Sequence, residues 1–143
     1  MRRPIGLLAA AAVAIFAAAP AEAVVATSFG HVYAPPVIVV VAGHPATYLN
    51  ADIDPHDIVA TSEAAGQGEL PKGARPAGSA PWCADYDGPL RGMLCPLFWT
   101  PVLQTGGAHE ILGVSDAVPG ETYGFYCTLH PYMTGTLVVV DPR

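Results

Sequence analysis

The chain has 143 residues and a formal charge of −6, from twelve acidic side chains against six basic ones. That balance excludes a nucleic-acid partner, because phosphate binding needs clustered positive charge. The length excludes two independent cores and leaves room for one.

Arg2 and Arg3 precede an apolar run from Ile5 to Ala19, then Pro20 and the small-x-small triplet Ala21, Glu22, Ala23. This order is expected of a secretory signal peptide cut after Ala23. The run is shorter than the roughly 20 residues that span a bilayer core, which argues against a retained anchor. The paired arginines also raise twin-arginine export, although the rest of that pattern is poorly matched. The expected organisation is therefore residues 1–23 as signal and 24–143 as one exported domain, periplasmic or extracellular and free of the membrane after cleavage. Loss of two arginines and one glutamate leaves four basic and eleven acidic side chains, a charge of −7.

Val37 to Val41 is a continuous β-branched run ended by Gly43, a pattern expected of a strand buried on both faces. Ala46 to Ala51 and Asp57 to Thr61 follow as further strands, the latter after the turn Asp54-Pro55. Residues 62–97 begin with a Gly- and Pro-rich stretch that carries no apolar period, and they read as an irregular insertion. Order returns near Phe98 and Trp99, continues through His109 to Val114, and meets the turn Val118-Pro119-Gly120. Thr122 to Cys127 and Thr134 to Val140 are the last two strands, joined by a short loop. Short β-favouring runs punctuated by Gly and Pro predict an all-β antiparallel sandwich or barrel.

The chemistry lies in that last loop. Cys127-Thr128-Leu129-His130-Pro131-Tyr132-Met133 places a thiolate, an imidazole and a thioether within seven residues. A tight turn at a strand end lets all three converge on one point. Two soft sulfurs and an imidazole favour copper over calcium, magnesium or manganese. A trigonal copper site needs a second histidine. His31 lies near the mature N-terminus, His44 in a Gly-His-Pro turn and His109 at the opening of a strand. His56 follows Pro55 at the start of a strand, a setting that holds an imidazole rigidly, and it is the expected fourth ligand.

These segments resemble the copper-binding signature of the plastocyanin and azurin family, the small blue copper proteins or cupredoxins. The spacing Cys127-x2-His130-x2-Met133 is similar to that of amicyanin-type members. Pro55-His56 resembles the pair that holds the family's first histidine, and the stretch from Pro119 through Tyr126 resembles its Pro-Gly turn and aromatic strand. The resemblance implies a cupredoxin-like Greek-key β-sandwich with one type 1 copper per chain, held by His56, Cys127, His130 and Met133. It implies a monomeric, non-enzymatic carrier of single electrons that docks redox proteins near His130, over an apolar rim of Pro131, Tyr132 and Met133. A copper carrier or buffer that does not cycle its redox state would use the same ligands. An oxidase or nitrite-reductase-type enzyme would need further copper ligands, for which only His31, His44 and His109 are spare.

Two departures from the family pattern stand out. The family often carries Asn after its first histidine; here the residue is Asp57, whose carboxylate is expected to accept a hydrogen bond from Thr128. The insertion also contains Cys83 and Cys95. With Cys127 assigned to the metal, these two are expected to pair as a disulfide that closes the inserted loop. The alternative, a second metal site with a histidine, fits poorly with a spacer of eleven residues.

Overall fold

In the computed structural model, which describes residues 24–61, 73–76, 78–88, 91–92 and 94–142, the chain forms ten strands and two 3-10 turns. The expectations for residues 1–23 lie outside the described residues. The strands are β1 (Val24–Phe29), β2 (Val32–Ala34), β3 (Val37–Val41), β4 (Thr47–Asn50) and β5 (Val59–Thr61), then β6 (Arg75–Pro76), β7 (Leu94–Cys95), β8 (Ala108–Glu110), β9 (Thr122–Tyr126) and β10 (Thr134–Val140). One sheet runs β2-β1-β4-β8 and the other β3-β10-β9-β5, with β6 and β7 forming a separate two-stranded ribbon. The sandwich is thus the expected one. Each four-stranded sheet also contains one parallel pair, β1 with β4 and β3 with β10, beside its antiparallel pairs. No helix among the described residues is long and apolar enough to cross a membrane.

Side chains that alternate across the pleat build the core. Ile38 and Val40 of β3, Tyr123 and Phe125 of β9, and Leu137 and Val139 of β10 point inward from one sheet. Ala26 of β1, Tyr33 of β2 and Tyr48 of β4 meet them from the other. The β3 run departs from the expected strand buried on both faces: Val37, Val39 and Val41 are exposed. It lies at a sheet edge with only one face on the core, and the branched residues on its outer face satisfy strand propensity without burial.

Two further corrections concern the first residues of the domain and the insertion. Residues 24–34, for which the sequence names no strand, form the hairpin of β1 and β2, with Phe29 opposite Val32. The two residues between the strands, Gly30 and His31, have φ of +60° and +59°, as a tight two-residue hairpin requires. The insertion is also more ordered than expected where it is described. Cys83 and Cys95 are joined by the expected disulfide, Cα to Cα 5.5 Å. Tyr86 packs with Val59 and Trp99, and the Trp99 indole N–H donates to the Trp82 carbonyl at 3.1 Å, so this segment is pinned to the sandwich. Phe98 and Trp99 are both buried and belong to the packing, not to the site's border.

Candidate metal centre

Strand β9 ends at Tyr126 and β10 starts at Thr134, so the residues between them must turn the chain at one end of the sandwich. They do so with their own backbone: Cys127 N–H donates to Met133 O at 3.0 Å, His130 N–H to Cys127 O at 3.2 Å, and Met133 N–H to His130 O at 2.8 Å. The loop closed by these bonds brings Cys127 and His130 to the same side. From the other end of the chain, His56 is fixed by a two-way backbone bridge with Leu103.

The three side chains meet. Cys127 Sγ lies 3.7 Å from His56 Nδ1 and 3.6 Å from His130 Nδ1, and the two nitrogens are 3.1 Å apart. The point equidistant from the corners of that triangle is about 2 Å from each, close to the roughly 2.0 Å and 2.3 Å bonds of a first-row transition ion to nitrogen and sulfur donors. Cys127 and His56 are fully buried and His130 partly so. Two imidazole nitrogens and one sulfur in a nearly closed setting form a donor set suited to copper, and the residues fit that ion.

The tautomer of His56 follows from its other nitrogen. Nε2 lies 3.0 Å from Asp52 Oδ2, and a carboxylate only accepts, so Nε2 carries the proton and Nδ1 offers a lone pair to the triangle. Asp52 also accepts the backbone N–H groups of His31 at 2.8 Å and Ile53 at 2.7 Å. The His31 bond above all holds its carboxyl down at about 2, although burial opposes the shift. Asn50 braces the same segment from below. Its amide donates to Asp54 O and Leu103 O, both at 2.8 Å, and its side-chain oxygen accepts from Ser28 Oγ and Asp52 N. Tyr48 Oη–H donates to Ser28 in turn. Each polar group in this buried chain has a partner, the condition under which such a network fixes one arrangement.

Asp57 joins the two ligand-bearing segments. Its carboxylate accepts from Thr128 N at 2.7 Å and Thr128 Oγ1 at 2.5 Å. Its backbone oxygen accepts the Tyr33 hydroxyl at 2.5 Å; burial above all, with the charges of Cys127, Tyr48 and Asp57, raises the Tyr33 pKa, so this phenol stays a donor. Burial, with the Asp57 charge adding to it, also pushes the Cys127 thiol up. The sulfur therefore keeps its proton at neutral pH until a cation displaces it.

Of the predicted site residues, His56, Cys127, His130, Asp57 and Thr128 come together here. Met133 is buried in the core beneath the loop, so it contributes no surface to an apolar rim. His44 and His109 belong to neither of the metal-capable clusters among the described residues. His31, passed over in the sequence, stands beside the centre: its ring stacks on His130 with centroids 4.6 Å apart, and its Nε2–H donates to Asp54 at 2.7 Å. Asn50, Asp52 and Asp54 were missed as well. The only sequence signal for them is their crowding in the seven residues up to His56, in a segment whose Pro55 excludes a regular helix.

No protein-family model matches the sequence, and no curated protein matches it closely. Solved structures do match. A tryptophan-to-tyrosine variant of amicyanin in its reduced state is 20% identical with a TM-score of 0.51, covering 86% of each chain. The copper-containing nitrite reductase of Thermus scotoductus SA-01 is 23% identical with a TM-score of 0.55, over 93% of this chain but only 25% of that one. A purple cupredoxin from Nitrosopumilus maritimus is 22% identical with a TM-score of 0.47, over 76% of this chain and 81% of that one. The chain has the cupredoxin fold.

Proposed function

We propose that the chain is an exported type 1 copper protein that passes single electrons between redox partners and catalyses no reaction of its own. Copper, one ion per chain, would be held by His56, Cys127 and His130, with Met133 as a further, weaker sulfur donor. The observation that carries this reading is the triangle of Sγ and two Nδ1 atoms, buried and of a size that fits one ion. Bound there, copper would supply a one-electron couple.

The protein's part is to keep that geometry fixed and dry. Asp52 holds the His56 tautomer, and Asp57 locks Thr128 and with it the loop. Burial of Cys127 and His56 excludes water from the donor triangle. His130 is the least enclosed of the three, which makes it the route to a partner. Exposed Leu129 and Tyr132 flank it, and they offer the small apolar contact that brief redox encounters use. The acidic chain would draw a basic partner and make association salt-dependent. The likeness to nitrite reductase covers a quarter of that enzyme and supports the fold rather than its chemistry.

The test is repeated chemical reduction and reoxidation of the copper-loaded protein, with total bound copper measured after each cycle. Fast, reversible cycling with all copper retained is the expected result. Loss of copper on reduction would favour a metal carrier and contradict electron transfer.

A further inference from the structure

His31 occupies the hairpin tip with φ of +59°, a conformation uncommon for a residue with a side chain although histidine adopts it more readily than most. Asn or Gly would sit there with less strain. What histidine adds is a ring, and the ring is in use. It lies on the face of His130, centroids 4.6 Å and planes 28° apart, and meets His56 edge-on at 5.6 Å. Two carboxylates hold it in place. His31 Nε2–H donates to Asp54 Oδ2 at 2.7 Å, and its backbone N–H donates to Asp52 Oδ2 at 2.8 Å, the same oxygen that accepts from His56 Nε2. The hairpin tip is thereby coupled to both imidazoles of the centre, to one by a shared acceptor and to the other by face contact.

We propose that His31 is a clamp on His130 that slows the departure of copper from the centre. The idea rests on the copper reading above. His56 and Cys127 are fully buried, so release begins at His130, the one imidazole of the triangle with a path outward. To swing away, the His130 ring must slide off the stack or push the hairpin tip aside, and the tip is tied down by Asp52 and Asp54. Tyr132 stands at another edge of His130, centroids 6.2 Å apart, and narrows the remaining path. His31 is a positioning residue: it touches the ligands and stands outside the donor triangle.

The experiment follows copper transfer from the Cu(I)-loaded protein to excess bicinchoninate at fixed pH, by the absorbance of the chelator complex. His31→Asn removes the ring but suits the positive φ, so release is expected to be about tenfold faster, the factor a strong aromatic stack corresponds to. His31→Phe restores a stacking face but not the bond to Asp54, so its release is expected to be slower than that of His31→Asn and faster than that of the parent. The melting temperature of the metal-free His31→Asn protein should not fall. Release from His31→Asn at the parent rate, or from His31→Phe as fast as from His31→Asn, would overturn the clamp while leaving the copper site in place. A parent protein that takes up no copper would overturn both readings together.

Discussion

The ligand loop and the β1–β2 hairpin tip both bear on His130, yet they are held in opposite ways. Residues 127–133 are held largely by themselves, since Cys127, His130 and Met133 exchange backbone hydrogen bonds within seven residues, with Asp57 adding two bonds to Thr128 from outside. The tip secures little by itself: His31 sits at a positive φ and is placed by Asp52 and Asp54, more than twenty positions away. Donor identity can therefore be local while donor orientation depends on the fold. The loop supplies the atoms, and the surrounding carboxylates and Asn50 decide how they face.

The largest effect that would sharpen this contrast is Cys127→Ser. Replacing the soft sulfur should abolish the thiolate-to-copper absorption, while the metal-free protein keeps its β-sheet circular dichroism. A variant that retains the absorption would show that the loop does not supply the decisive donor. Next in size, removing the disulfide with Cys83→Ser and Cys95→Ser should cost about 3 kcal/mol in denaturant unfolding, because it frees a loop with a sequence separation of 12. The copper spectrum should stay unchanged, since this bond lies in the insertion and not among the donors.

A smaller effect tests the brace. Asn50→Ala takes a partner from Ser28 Oγ, Asp52 N and the Asp54 carbonyl and should destabilise the metal-free protein by about 2 kcal/mol. Asp52 adds a pH signature. Its folded carboxyl lies at about 2 against an ordinary 3.8, so its contribution is present above about 4 and is lost as pH falls through 2. Asp52→Asn should accordingly be less stable than the parent at neutral pH and show a shallower loss between pH 4 and 2 in acid titrations of unfolding. The smallest effect is Asp57→Asn. Removing a negative charge beside the centre should raise the reduction potential by roughly 50 mV, equivalent to about 1 kcal/mol for one electron. A lower potential in the variant would mean that Asp57 acts through geometry and not through charge.

Much of the fold was legible because it is written locally. The β-branched run at β3, the aromatic alternation of β9 and the Thr-Val run of β10 each declare a strand, and the last two flank a donor-rich loop. Cys83 and Cys95 could be paired because Cys127 already had a role. The hairpin at the start was not legible. Val24 to Ala34 is interrupted by Gly30 and His31, and its second strand has only three residues. His31 reaches the site only through the register that sets Phe29 opposite Val32, and nothing in its neighbours in sequence points to that. Asp52 was hidden for a related reason. A separation of four residues from His56 implies contact in a helix, whereas here it arises from an irregular turn that Asn50 shapes.

The account stands most directly on a titration of the metal-free protein with Cu(II), followed by visible and electron-spin-resonance spectra. It predicts an intense thiolate-to-copper absorption that saturates at one ion per chain. Saturation without that absorption, or a copper signal with only nitrogen and oxygen donors, would contradict it.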